Sequence, residues 1–300
     1  MSFFRAIKKH WMLYLMILPA LLFYLVFCYL PMHGIVIAFQ DYNVLAGIAN
    51  SEWVGLANFE MFIKEDYFWQ IIWNTLSISV LKLAIGFTMP IIVALLINEL
   101  FSNKFKRTVQ TFIYLPHFIS WSIISGILII FLSPSTGLIN NIIEMFGGQP
   151  QYFMIKPEYF KPIVIISDIW KNVGWGTIIY TAAIAGINGE LYEASYIDGA
   201  GRLRQTWHIT LPGIKPVIVM MLILSVSNIL SAGFDQIVVM QNANNLEISE
   251  IIDTYIYSAG IQNGEYSLAT AMGLFKAFIS LGLLIAADRV AKLFGERGII

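Results

Sequence analysis

The sequence contains stretches in which water cannot be the solvent. From Trp11 to Phe39 there is no Asp, Glu, Lys or Arg, and a helix needs about 20 mostly apolar residues to cross a bilayer core. In hydrocarbon every backbone amide must find its partner within the protein, so such runs are restricted to helices. Six stretches meet the test, at about 12–38, 71–97, 111–132, 163–187, 214–239 and 266–287. The fold class expected is therefore an all-α membrane protein with six transmembrane helices, a single transmembrane domain over 1–300. Charged residues are only 12% of the chain and mean hydropathy is +0.71, which leaves no stretch to form an attached soluble domain. Pro19, Pro31 and Pro90 fall inside spans and are expected to kink helices rather than end them.

The first run is far longer than the apolar core of a signal peptide and lacks a small-residue exit. Phe27 stands before Cys28 where a lipoprotein cleavage site needs a small residue, so the segment is expected to remain as an anchor. Cys28 is the only cysteine, which excludes an internal disulfide and a cysteine-based zinc site. His10, His33, His117 and His208 are scattered, and no cluster has metal-ligand spacing, so no metal and no catalytic residue are expected. The net charge of −1 and the lack of a basic tract argue against nucleic acid as a partner.

Lys and Arg accumulate in short cytoplasmic loops. With the N-terminus inside, the inner side holds Arg5, Lys8, Lys9, Lys104, Lys106, Arg107, Arg202, Arg204, Lys215, Arg289, Lys292 and Arg297, against Lys64, Lys156 and Lys161 outside. Both termini are thus expected in the cytoplasm. The outer loops carry Asp41, Glu52, Glu65, Asp66, Glu158, Glu247 and Glu250. The three remaining cations, Lys82, Lys171 and Lys276, lie in spans, where ionisable groups mark a cavity or a pair. Asp168 and Lys171, three residues apart, fall on one helical face within pairing reach, and Asp235 sits towards the outer end of the fifth span. For Lys82 and Lys276 a snorkelling side chain or a structural pair is the alternative to a cavity role.

The loop 188–213 joins the fourth and fifth spans. Asn188 is suited to cap a helix, Glu190 and Glu193 to its first turn, and Gly199 or Gly201 to the left-handed residue that ends it. Ala194 and Ser195 leave its middle small, and Pro212 and Pro216 are expected to restart the chain as a new span. Such a stub suits docking into a partner's groove; a re-entrant turn between spans is the alternative.

The series Glu193-Ala194-Ser195, Gly199, Ile209, Leu211-Pro212 resembles the EAA motif of ABC-importer permeases. The continuation Asp198-Gly199-Ala200-Gly201 resembles the sugar-importing, maltose-permease-like branch, as does Trp53-Val-Gly-Leu-x-Asn-Phe59 in the first outer loop. The resemblance implies a type I ABC importer transmembrane domain in a bacterial cytoplasmic membrane. It implies a coupling role for Glu190, Glu193, Ala194, Ser195, Asp198, Gly199, Ala200, Gly201, Ile209, Leu211 and Pro212. Implied partners are a second, paralogous permease, two cytoplasmic ATPase subunits, an extracellular solute-binding protein and a sugar. ATP and Mg would be bound by the ATPase chains, since this sequence has no GK dipeptide and hence no P-loop of that type.

Matching outward from the motif implies substrate contacts at Asp168, Lys171, Asn172, Trp175, Ser227, Asn228 and Ser231. Asp168 and Lys171 are charged where the maltose-permease-like pattern is not, so a charged or amino sugar or an oligosaccharide fits at least as well as maltose. Two rivals stay open: an importer of another polar solute, and a stand-alone secondary transporter or channel with Asp168, Lys171 and Asp235 as its ion path.

Overall fold

The computed structural model describes residues 10–293; Arg5, Lys8, Lys9 and Arg297, which entered the charge count above, lie outside the described residues. The chain forms helices α1 (Trp11–Tyr24), α2 (Ala57–Lys64), α3 (Phe68–Asn98), α4 (Asn103–Tyr114), α5 (Trp121–Phe131), α6 (Leu138–Met145) and α7 (Pro157–Ala185). They are followed by α8 (Gly189–Ile197), α9 (Arg202–Gln205), α10 (Leu211–Ser227), α11 (Phe234–Met240), α12 (Leu246–Ser249), α13 (Ile252–Tyr257) and α14 (Tyr266–Leu293). Four helical stretches are long and apolar enough to cross a membrane: Trp11–Phe39, Phe68–Asn98, Arg202–Ser227 and Tyr266–Leu293. A bent pair, Asn103–Phe118 with Trp121–Phe131, makes a fifth. The fourth span expected from the sequence is α7, which at about 43 Å is long enough but carries Glu158, Lys161, Asp168 and Lys171.

The described chain divides into two compact units, 10–65 with 256–275, and 66–255 with 276–293. In the first, α1 has no buried residue, and its winding widens over Leu25–Tyr29 and tightens over Leu30–Phe39. A two-residue antiparallel ribbon then pairs Gln40 with Trp53 and Asp41 with Glu52. Asn58, almost fully buried, clamps this turn by donating to the carbonyls of Ala38 and Gln40 at 3.0 Å each. Phe39 stacks on Trp53 with ring centroids 5.6 Å apart.

In the second unit α3 lies along α7. Two small residues allow the approach of α7 to its neighbours: a Cβ on Gly176 would sit 2.9 Å from the Pro90 ring, and one on Gly174 would strike the backbone of Ile113 in α4. One core cluster gathers Ile78, Phe160, Val164, Ile237, Met240 and Ile251; another gathers Ala94, Tyr180, Ile184 and Ile214.

Two expected spans are not continuous helices. The third bends by 98° between Phe118 and Trp121. The fifth stops at Ser227, makes a single tight turn at Ile229–Ser231, places Ala232 and Gly233 at φ of 39° and 94°, and resumes as α11. Two successive left-handed residues end the right-handed coil, and the freed carbonyls must find other partners. Conversely, Pro212 and Pro216 do not restart the chain as expected. The helix runs from Arg202 to Ser227, because its winding widens over Thr206–Thr210, just before the first proline.

Near α6 a single side chain organises the loops. Asn140 is 1% exposed, donates to the carbonyls of Leu132, Ser133 and Gln151, and accepts from the Gln151 amide at 2.7 Å. Asn140→Ala leaves those groups without it, at about 1–3 kcal/mol for each buried group left unsatisfied. A loss of about 3 kcal/mol is expected in thermal or denaturant unfolding of the detergent-solubilised chain. A change below about 0.5 kcal/mol would mean that water replaces the amide.

Candidate substrate cavity and docking loop

The break in the fifth span forms one wall of a cavity of about 350 Å³. Its polar lining comes from α3 (Ser79, Lys82), α7 (Asp168, Asn172) and the segment around the break (Ser225, Asn228, Ser231). Apolar surface from Phe87, Tyr180 and Met221 completes it, the mixture expected of a site for a polar solute with flat apolar faces. Pro90, also in the wall, has no N–H to give the carbonyl of Gly86, another lining residue.

Lys82 holds the break. Its ammonium donates to the Ala232 carbonyl at 2.9 Å and to Gln236 Oε1, and stands 3.6 Å from Asp168 Oδ1. Gln236, fully buried, donates in turn to the Val164 carbonyl and Ser167 Oγ. Asn172 Nδ2 donates to Asp168 Oδ1 at 3.1 Å. On the other side of the turn, Lys276 pairs with Asp253 at 2.5 Å and reaches Ser231 Oγ at 3.4 Å. A cation from α3 and one from α14 thus supply hydrogen bonds to the non-helical residues, as broken spans in a membrane require. Both lysines that the sequence left open between snorkelling and pairing are in ion pairs.

Of the residues that resemblance implied for substrate, Asp168, Asn172, Asn228 and Ser231 line the cavity. Lys171, Trp175 and Ser227 do not. Lys171 is buried and donates to the carbonyls of Pro116, His117 and Ile119 at the bend between α4 and α5. Its spacing from Asp168 suggested a pair, but the carbonyl cluster holds it and Lys82 takes the carboxylate. Trp175 stacks on His117 at 4.5 Å, and Ser227 Oγ turns back to the Leu224 carbonyl. Asp235 is exposed on α11. Ser79 was not singled out from the sequence, although its position three residues before Lys82 puts it on the same helical face.

The second site is the loop 188–213. Asn188 Oδ1 accepts from the Glu190 amide at 3.0 Å and caps α8. The helix ends as the glycine pattern implied: Gly199 has φ of 76°, Ala200 N–H donates to the Ser195 carbonyl at 2.9 Å and Gly199 N–H to that of Tyr196 at 3.0 Å, a Schellman turn. Two bonds fasten α8 to the following helix, Tyr192 Oη with Thr210 Oγ1 and Gln205 Nε2 to Ser195 Oγ, both at 2.9 Å. Arg202 pairs with Glu99 at 3.1 Å and lies 4.1 Å over the Phe101 ring. Tyr196, Ile197 and Leu203 are 79%, 84% and 73% exposed. Glu193 is exposed and has no hydrogen bond or ion pair among the described residues. Large apolar side chains presented on a capped, internally fastened helix are what a protein partner buries.

Residues 86–298 match the family described as binding-protein-dependent transport system inner membrane component. The chain is 50% identical over 287 residues to the polygalacturonan/rhamnogalacturonan transport system permease protein YteP of Bacillus subtilis (strain 168), covering 96% of this chain and 89% of that one. It is also similar to the crystal structure of a bacterial ABC transporter involved in the import of the acidic polysaccharide alginate, with a TM-score of 0.90 and 40% identity, over 97% of this chain and 99% of the other. A structure of a bacterial alginate ABC transporter in complex with an alginate pentasaccharide-bound periplasmic protein matches with a TM-score of 0.91 and 39% identity, over 100% of both chains.

Proposed function

The chain belongs to the family of binding-protein-dependent transport system inner membrane components, and on that premise we propose that it is the permease subunit of an ATP-driven importer of oligosaccharides. It is a membrane-embedded transport component, not an enzyme. In this reading residues 1–300 are one permease domain with both termini in the cytoplasm. It pairs with a paralogous permease, two cytoplasmic ATPase subunits that bind the ATP and Mg, and an external binding protein that delivers sugar to the acidic outer loops.

The cavity at the broken fifth span carries the reading. Discontinuous helices in transporters surround the substrate near mid-membrane, where unwound backbone supplies polar groups that a continuous helix would hide. Asp168, Asn172, Asn228 and Ser231 offer acceptors and donors for sugar hydroxyls, and Phe87 and Tyr180 flank them. Alternating access then moves the cavity from one side to the other while the loop 188–213 receives the force. The relatives support the solute class, since the permease from Bacillus and the alginate transporters are named for polysaccharides, one of them acidic.

The test is purification and reconstitution. The chain should co-purify with an ATPase, and proteoliposomes holding the assembled complex should take up oligosaccharide only with ATP inside and binding protein outside. Transport by this chain alone under an ion gradient would overturn the reading in favour of a secondary transporter. ATP-dependent uptake confined to a solute other than carbohydrate would keep the architecture and overturn the solute class.

A further inference from the structure

We propose that Ser79 and Lys82 form a carboxylate-reading subsite in the cavity, so that the imported oligosaccharide carries uronic acid groups. This rests on the import reading above and names the chemical class that the same cavity selects.

The Lys82 ammonium has three protons. Two go to the Ala232 carbonyl and Gln236 Oε1. The carboxylate available to the third, Asp168, is 3.6 Å away, well beyond the 2.7–2.9 Å of a charge-assisted hydrogen bond. Asp168 keeps Asn172 as a partner at 3.1 Å whatever Lys82 does, so Lys82 can accept another anion without stranding it.

Ser79 supplies the second donor. It is 4% exposed and its Oγ has no hydrogen-bond partner. Other hydroxyls in this chain's helices turn back on the carbonyl four residues earlier, as Thr75, Thr88 and Thr177 do at 2.8, 2.9 and 2.7 Å. Ser79 does not. A buried hydroxyl left unpaired is destabilising, and this one belongs to a residue that lines the cavity, one helical turn from Lys82.

A carboxylate has two oxygens to offer, one to the Lys82 ammonium and one to the Ser79 hydroxyl, both residues of the cavity lining. A neutral sugar can satisfy Ser79 with a hydroxyl group, but it gives Lys82 only a neutral acceptor, and charge-assisted hydrogen bonds are roughly twice as strong. The other charged groups near the site are engaged elsewhere: Lys171 with the carbonyls of the bend, and Lys276 with Asp253. Lys82 and Asp168 are the charged side chains of the lining and offset one another, and Lys82 is the cation there that an incoming carboxylate meets.

The experiment compares trigalacturonate with its neutral methyl ester in proteoliposomes holding the full complex, each delivered by the same binding protein. Uptake by each variant is expressed relative to wild type, which cancels the binding protein's own preference. Lys82→Gln should lower uptake of both probes, because the ammonium also bonds Ala232 at the break, but trigalacturonate uptake about tenfold or more beyond the loss for the ester. Ser79→Ala should lower trigalacturonate uptake about threefold more than it lowers ester uptake. Should Lys82→Gln fail to assemble, as gel filtration would show, Ser79→Ala decides. Equal losses for both probes, undiminished trigalacturonate uptake, or a wild-type complex that imports only neutral carbohydrate would each overturn the subsite while leaving carbohydrate import intact. A wild-type complex with no ATP-dependent carbohydrate uptake at all would instead sink the import reading.

Discussion

Gly174→Ala should prevent the chain from reaching its folded state. A single methyl group there would lie 1.8 Å from the carbonyl oxygen of Ile113, 2.4 Å from its carbonyl carbon and 3.0 Å from the amide nitrogen of Tyr114. These are backbone atoms of α4, so no side chain can rotate away, and α7 must move off as a unit. Overpacking a tight contact costs about 1–3 kcal/mol when side chains can adjust, and here they cannot. The displacement would also pull Lys171, three residues earlier on α7, from the carbonyls of His117 and Ile119 that it caps. A loss of about 4 kcal/mol or more is expected, read as a large fall in the yield of monodisperse protein in detergent and in its unfolding temperature. Gly282→Ala is the matched control, since a Cβ there meets nothing within 4 Å; its unfolding should stay near that of the native chain. Similar behaviour of the two variants would show that α4 and α7 are not in backbone contact.

What could be read from the residues divides along the line between local and tertiary causes. Apolar runs fall on long apolar helices: 12–38 lies within Trp11–Phe39, 71–97 within Phe68–Asn98, and 266–287 within Tyr266–Leu293. Asn188 and Gly199 bounded α8 correctly because capping depends on a few consecutive residues. The interruptions were not legible. The segment 214–239 carries only two formally charged residues, Lys215 and Asp235, and Ala232-Gly233 carries no strong breaking signal, since single glycines are common in membrane helices. The turn persists because Lys82 and Lys276, from distant parts of the chain, hydrogen-bond Ala232 and Ser231. For the same reason the i, i+3 spacing of Asp168 and Lys171 misled: it fixes a shared face, but the bend 50 residues away supplies the better partner for the lysine. Ser79 escaped notice because a serine in a span ordinarily bonds its own helix, and only the folded cavity shows that this one does not.

Gly199→Val should abolish transport without unfolding the membrane domain. Gly199 sits at φ of 76° with nothing within 4 Å of an added Cβ, so valine meets no obstacle in space. Its cost is conformational, about 1–2 kcal/mol for an L-residue in the left-handed region and more for a β-branched one. That cost is relieved by turning the backbone out of the left-handed region, which undoes the two terminal hydrogen bonds to Ser195 and Tyr196. The result is a reoriented α8, whose exposed Tyr196 and Ile197 no longer meet a partner in one geometry. Tyr192 and Ser195 then lose their bonds to Thr210 and Gln205, which join α8 to the helix that runs on to the cavity at Asn228. Force delivered to the loop would no longer reach the break. Oligosaccharide uptake by the assembled complex should fall more than about tenfold, since loss of two such bonds is worth about 2 kcal/mol in positioning. Gly199→Asn, whose side chain tolerates the left-handed region, should retain most of the activity, and that rescue separates backbone geometry from mere bulk. Glu193→Lys tests the same surface differently: the native side chain has no partner among the described residues, so reversal should leave stability unchanged while uptake and ATPase stimulation fall together. Undiminished uptake in both Gly199→Val and Glu193→Lys would mean that the loop 188–213 receives no force from an ATPase.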